Sequence, residues 1–110
     1  MTNYFDVKFI KNWMNRTEVE NKAIEFFWKV IQLYREEDPE EFEDNFPNFS
    51  SSDLEVSIQA VSVTFGNYPD FNYNHVVVTI PIRYKKKNIG VHKILFTFDG
   101  MIEDDYFIID

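Results

Sequence analysis

LEVSIQAVSVTF, residues 54–65, carries two alternating patterns in succession. Leu54, Val56, Ile58 and Ala60 fall on one side of an extended chain, with Glu55, Ser57 and Gln59 on the other. At Ala60-Val61 the phase reverses, and Val61, Val63 and Phe65 become the apolar set. Strand side chains alternate faces with a period of two, so one inserted residue exchanges the faces. The pattern predicts a strand carrying a β-bulge, and bulges bend sheets.

Downstream the chain continues as β. Gly66-Asn67-Tyr68-Pro69-Asp70 is a turn, and a second strand runs near Tyr73–Tyr84 with Val76, Val78, Ile80, Ile82 and Tyr84 on one face. Pro81 lacks an N–H, which predicts a bulge or a locally unpaired edge there. Lys86 to Asn88 read as a hairpin turn into a third strand, Ile89–Phe98, in which Ile94, Phe96 and Phe98 alternate. Asp99-Gly100 is a strong hairpin signal. A fourth strand, Met101–Ile109, follows, its apolar pattern interrupted by Glu103-Asp104-Asp105.

Upstream the period changes to that of a helix. Phe5, Phe9 and Trp13 recur at spacing four, with Val7, Ile10 and Met14 beside them, as in a short amphipathic helix. Thr17 and Glu20 match the capping box that starts a second helix. From Glu18 to about Glu37, the polar residues Glu18, Lys22, Glu25, Lys29, Gln32 and Glu36 share one face. The opposite arc holds Val19, Ala23, Phe26, Phe27, Val30, Ile31 and Tyr34, widened by Ile24 and Leu33. An arc that broad calls for a large apolar surface, most simply one face of a sheet. Asp38-Pro39-Glu40-Glu41 reads as a new helix start, with Asp38 as cap and Pro39 in the first helical position. Phe42 and Phe46 give that short helix an apolar side before Pro47. Residues 1–110 therefore read as one α+β domain: N-terminal helices, one of them long and amphipathic, on a curved four-stranded antiparallel meander.

Within 110 residues, the net charge of −8 is unevenly distributed. Between Glu36 and Glu55 there are nine acids and no base, leaving ten acids against eleven bases elsewhere. The acids Glu37, Asp38, Glu40, Glu41, Glu43 and Asp44 form a candidate docking face for a basic protein, since clustered charge steers a partner of opposite sign. The acidic balance argues against nucleic acid as a partner, even with the basic run Arg83-Tyr84-Lys85-Lys86-Lys87, which suits a charged hairpin tip. There is no cysteine, which excludes disulfides, thiol chemistry and cysteine-ligated zinc. No apolar run nears the roughly 20 residues of a membrane span, and residues 1–16 hold no uninterrupted signal-peptide core. A soluble, cytoplasmic protein is the expectation.

The run AIEFFWKVIQLYREEDPEEFEDNF (23–46), with the closing FDGMIEDDYFII (98–109), resembles the cystatin-like α+β folds. Among these it is most similar to the nuclear-transport-factor-like or ketosteroid-isomerase-like superfamily, whose Y-x-x-x-D-x-x-x-F pattern is matched by Tyr34, Asp38 and Phe42. The resemblance implies a long helix wrapped by a cone-shaped sheet, often with a pocket at its mouth. It implies no single activity, because the superfamily includes isomerases, dehydratases, cyclases, transport adaptors, kinase association domains and immunity proteins.

No phosphate-cradling loop, dinucleotide fingerprint or metal-binding motif is present, so neither cofactor nor metal is called for. His75 and His92 are the natural acid–base candidates. A hairpin centred near Lys86-Lys87 sets His92 opposite about Pro81, roughly 20 Å from His75 at strand rise, and leaves both at the surface or rim. Asp105 is the best candidate for a carboxylate in an apolar pocket, with Tyr34 or Tyr106 as a phenol partner. Strict alternation from the Asp99-Gly100 hairpin places Asp105 on the face of Phe107 and Ile109, whereas a second bulge at Glu103–Asp105 turns these acids outward. Two readings follow. The first is a non-catalytic interaction module, an immunity-type inhibitor or adaptor, binding through the acidic face. The alternative is an apolar-ligand or isomerase-like pocket between helix and sheet, lined by Phe27, Ile31, Tyr34, Phe96, Asp105 and Phe107. A homodimer through an exposed sheet face is a third possibility.

Overall fold

The computed structural model describes residues 6–110, so the expectation for Phe5 lies outside the described residues. Three helices precede the sheet: α1 (Val7–Thr17), α2 (Val19–Glu37) and α3 (Pro39–Asn45). Asp6 caps α1 by accepting the Lys8 N–H at 3.0 Å. The capping box at Thr17 does not form. Glu18 instead takes a left-handed conformation (φ 56°) and donates its N–H to the Met14 carbonyl, while the Thr17 hydroxyl turns back to the Trp13 carbonyl at 2.6 Å. One left-handed residue thus makes an elbow between two helices. Asp38 caps α3 and Pro39 occupies its first turn, as the sequence predicts.

The sheet is open and antiparallel, with five strands where four were expected: β1 (Leu54–Glu55), β2 (Ala60–Gly66), β3 (Tyr73–Tyr84), β4 (Lys87–Phe96) and β5 (Ile102–Ile109). Both β1 and β2 pair with the same side of β3, so they are the expected first strand cut in two. From Glu55 to Ala60 the chain advances five residues while its partner runs back only four, from Arg83 to Thr79. That extra residue is the bulge read from the phase reversal. Gln59 donates its N–H to the carbonyl of Thr79, which Ala60 already faces. The gap lies opposite Ile80–Ile82, where Pro81 has no N–H to contribute to a ladder, so the strand breaks where its partner cannot hold it.

Two further irregularities set the register of β4. The β3–β4 turn is only Lys85-Lys86, both at positive φ (48° and 66°), and Tyr84 pairs directly with Lys87. The turn therefore comes earlier than the expected Lys86–Asn88. Register then shifts between Ile82 and Arg83, leaving Ile89 as an extra residue. On β5 a shift leaves Glu103 extra, the second bulge expected near there.

The helix face of the sheet carries Val76, Val78, Ile80, Ile82, Ile94 and Phe96, all buried, and meets Val19, Ala23, Phe27 and Ile31 of α2. At one end α3 adds an aromatic cluster in which Phe42 and Phe46 stack at 4.8 Å, with Phe49 and Tyr84 alongside. At the other end the β4–β5 turn grips the elbow. The Trp13 indole donates to the Phe98 carbonyl at 2.7 Å, Lys22 donates to the Gly100 carbonyl at 2.9 Å, and Gly100 lies against Thr17.

Candidate functional site

His92 is fully buried on the helix face, paired in register with Ile80. This corrects the surface-or-rim reading. A hairpin centred on Lys86-Lys87 sets it opposite Pro81 on the outer face, and the shorter turn without a bulge sets it opposite Thr79, also outside. The extra residue at Ile89 moves it by one and brings the imidazole inside. The ring is caged by Phe26 (5.7 Å between centroids), Phe27 (5.8 Å) and Phe107 (5.4 Å). Its Nε2 meets Asp105 Oδ2 at 2.8 Å, and its Nδ1 is buried with no hydrogen-bond partner among the described residues. A carboxylate only accepts, so Nε2 carries the proton and the neutral tautomer leaves Nδ1 as an unmet acceptor.

Asp105 pairs with Ile94 while His92 pairs with Phe107, which sets the carboxylate diagonally across from the imidazole on one face. Both expectations for this acidic run are partly met: the bulge falls at Glu103, yet Asp105 still points inward. Its side chain keeps 29% exposure, so the pair is dry at the histidine and wet at the acid. Burial pushes the His92 proton affinity below that of an ordinary imidazole, and the Asp105 hydrogen bond and charge work against that push. At neutral pH the imidazole is therefore neutral and donates through Nε2 to Asp105.

The expected phenols stand elsewhere. Tyr34 accepts from the Asn45 amide at 2.8 Å and lies edge-on to Phe42, and burial, ahead of nearby acids, raises its pKa. Tyr106 is exposed on the opposite face of the sheet. Phe27, Ile31 and Phe96 are all buried members of the one hydrophobic core, and Phe107 packs against that core. The surface cavities described are lined by other residues. His75 is also buried (8% exposed) and stands 4.9 Å from the Tyr73 ring on the outer face. The histidines are thus divided by the sheet, and among the described residues no group of three His, Asp or Glu is placed to hold a metal ion.

A signal for His92 was present. Its number shares the phase of Ile94 and Phe96, so the alternation of the strand already places it with the core set. Its carboxylate partner required the pairing of β4 with β5.

The acidic residues Glu37, Asp38, Glu40, Glu41, Glu43 and Asp44 are brought together where α2 ends and α3 runs, all exposed. Asp38 accepts the Glu41 N–H at 3.4 Å, and Glu43 accepts the Asn48 N–H at 3.0 Å. Among the described residues none of the six forms an ion pair. The pKa of Glu41 is raised, first by a hydrogen bond with Asp38 and then by its charge. The basic hairpin tip is partly engaged within the chain, with Arg83 on Glu55 at 2.9 Å and Lys85 Nζ on the Pro47 carbonyl at 3.0 Å. No helix of the described residues is long and apolar enough to cross a membrane. No protein family, curated protein or solved structure matches this chain.

Proposed function

We propose that this chain is a non-catalytic protein-interaction module that docks a basic partner on the face formed by Glu37, Asp38, Glu40, Glu41, Glu43 and Asp44. The observation that supports this most is the crowding of unpaired acids on one exposed helix corner. The proton affinity of Glu41 is raised first by its hydrogen bond with Asp38 and then by the charge of Asp38, and a cationic surface relieves the repulsion among acids held this close. The aromatic cluster beneath, Phe42, Phe46, Phe49 and Tyr84, gives the corner a rigid base.

The helix-on-sheet arrangement is compatible with a cystatin-like fold of the nuclear-transport-factor-like superfamily, and an immunity-type inhibitor or adaptor in the cytoplasm is the role that best suits the acidic corner. An isomerase-like pocket between helix and sheet has less support, because Phe27, Ile31 and Phe96 leave little exposed surface there. A homodimer through the outer sheet face draws on Tyr73, Tyr106 and Ile108, each 41–51% exposed, and sedimentation velocity over a range of concentrations tests it.

The test for the main reading is affinity capture with the whole chain against its E40Q/E41Q/E43Q/D44N variant. A basic protein retained at low salt, released at high salt and not retained by the variant is the expected result. Equal retention by both chains overturns the proposal.

A further inference from the structure

Beneath α1 the sheet is covered less completely than beneath α2. Two adjoining cavities of about 280 and 510 Å³ open between α1 and the edge strand β2, and share Phe9, Ile10, Val63 and Phe65 in their walls. Phe9 is 70% exposed and Phe65 53%. The stripe of α1 is thus only half used: Trp13 is buried, while Phe9, one turn earlier, faces the groove.

Charged groups stand at the two ends of this groove. Arg16, in the last turn of α1, lines the smaller cavity and makes no ion pair among the described residues. At the far end of the larger cavity stands Asp6, whose carboxylate is already committed to the Lys8 N–H as the cap of α1. An apolar trough with one uncommitted guanidinium at its end fits a ligand with an apolar body and one terminal anion. A carboxylate suits the planar fork of arginine, which can donate two parallel hydrogen bonds to it. The ten residue steps from Asp6 to Arg16 span about 15 Å of helix, and the larger cavity, about 510 Å³, falls in the range of small-molecule sites.

We propose that the α1–β2 groove binds a carboxylate-bearing amphiphile, its carboxylate on Arg16 and its alkyl or aryl body along Phe9, Ile10, Val63 and Phe65. The site is independent of the acidic corner and of the His92–Asp105 pair.

The test is calorimetric titration of the full chain with dodecanoate, dodecanol and dodecyltrimethylammonium, all kept below their aggregation concentrations. Dodecanoate is expected to bind saturably at one site, at least tenfold more tightly than the cationic probe. Arg16→Gln is expected to weaken dodecanoate at least tenfold and leave dodecanol unchanged, while Val63→Asn weakens both. Arg16 is exposed, and an unchanged melting temperature of the unliganded variant shows that its fold is intact; Arg16→Lys, which keeps the charge without the fork, is expected to fall between. Equal binding of anionic and cationic probes, or full dodecanoate affinity in Arg16→Gln, overturns the proposal. So does the absence of saturable binding, or a dimer that Phe65→Asp dissociates, since the groove is then an interface between copies.

Discussion

Replacing Asp105 with alanine removes the only hydrogen-bond partner that a fully buried imidazole has among the described residues. In the native chain one ring nitrogen is met at 2.8 Å and the other is already unmet. The variant leaves both unmet inside the cage of Phe26, Phe27 and Phe107. A hydrogen bond to a charged group contributes about 1.5–3 kcal/mol, and an orphaned buried donor costs about 1–3 kcal/mol. A loss of about 2 kcal/mol follows, or about 8 °C in melting temperature for a domain of this size. His92→Phe behaves differently. It keeps an aromatic ring in the cage, removes both nitrogens, and leaves Asp105 exposed enough to be hydrated, so its stability stays within about 1 kcal/mol of the native chain. The double variant is accordingly more stable than Asp105→Ala alone. Urea denaturation at neutral pH, followed by circular dichroism, measures all three. If Asp105→Ala changes stability by less than about 0.5 kcal/mol, or His92→Phe is as damaging as Asp105→Ala, the pair does not act as described.

The same pair sets a pH dependence, with three local predictions beside it. The unfolded chain protonates His92 near the ordinary imidazole value and the folded chain only at lower pH, so between the two the unfolded state holds more protons. The contribution of this group is complete above about pH 6.5 and is lost as pH falls below it, at up to about 1.4 kcal/mol per unit; subtracting the His92→Phe profile from the native one isolates the slope. Gly100→Ala is expected to cost more than about 2 kcal/mol, because φ is +84° and the new Cβ would lie 2.6 Å from Thr17 Cβ. Thr17→Ala retains that Cβ and does not rescue it, whereas Thr17→Gly does in part, as denaturant midpoints will show. Lys86→Gly is expected to raise stability by about 0.5–1 kcal/mol by relieving a left-handed lysine, and a lower melting point contradicts this. Trp13→Phe deletes the N–H donated to Phe98 and is expected to cost about 1 kcal/mol, read by the same melt.

Much of the fold is legible because its signals are local. The arc from Val19 to Tyr34 places α2, Asp38-Pro39 starts α3, and the reversal at Ala60-Val61 locates a bulge without reference to any partner strand. The same reversal does not show that the strand will break, because that depends on Pro81 lying opposite. The capping box at Thr17 is a similar case. Its side chain could accept from Glu20, but the β4–β5 turn presses Gly100 against it, and the elbow at Glu18 turns its hydroxyl back to Trp13.

The candidate sites divide along the same line. The acidic corner is visible in sequence because nine acids without a base are contiguous along one stretch of chain, and contiguity is all that such a cluster needs. The His92–Asp105 pair depends on register accumulated across two strand pairings. The two-residue turn at Lys85-Lys86 and the extra Ile89 bring His92 to the helix face, and the bulge at Glu103 still leaves Asp105 facing it. The extra Ile89 and the extra Glu103 are one-residue events, and each reverses the face of every side chain beyond it, whereas the shorter turn moves His92 by two positions and keeps its face. The sequence alone determined which segments are helix and strand and where the charge lies, since those follow from near neighbours. Only the tertiary structure decided which polar groups are buried together, because a strand's register is set by residues far along the chain.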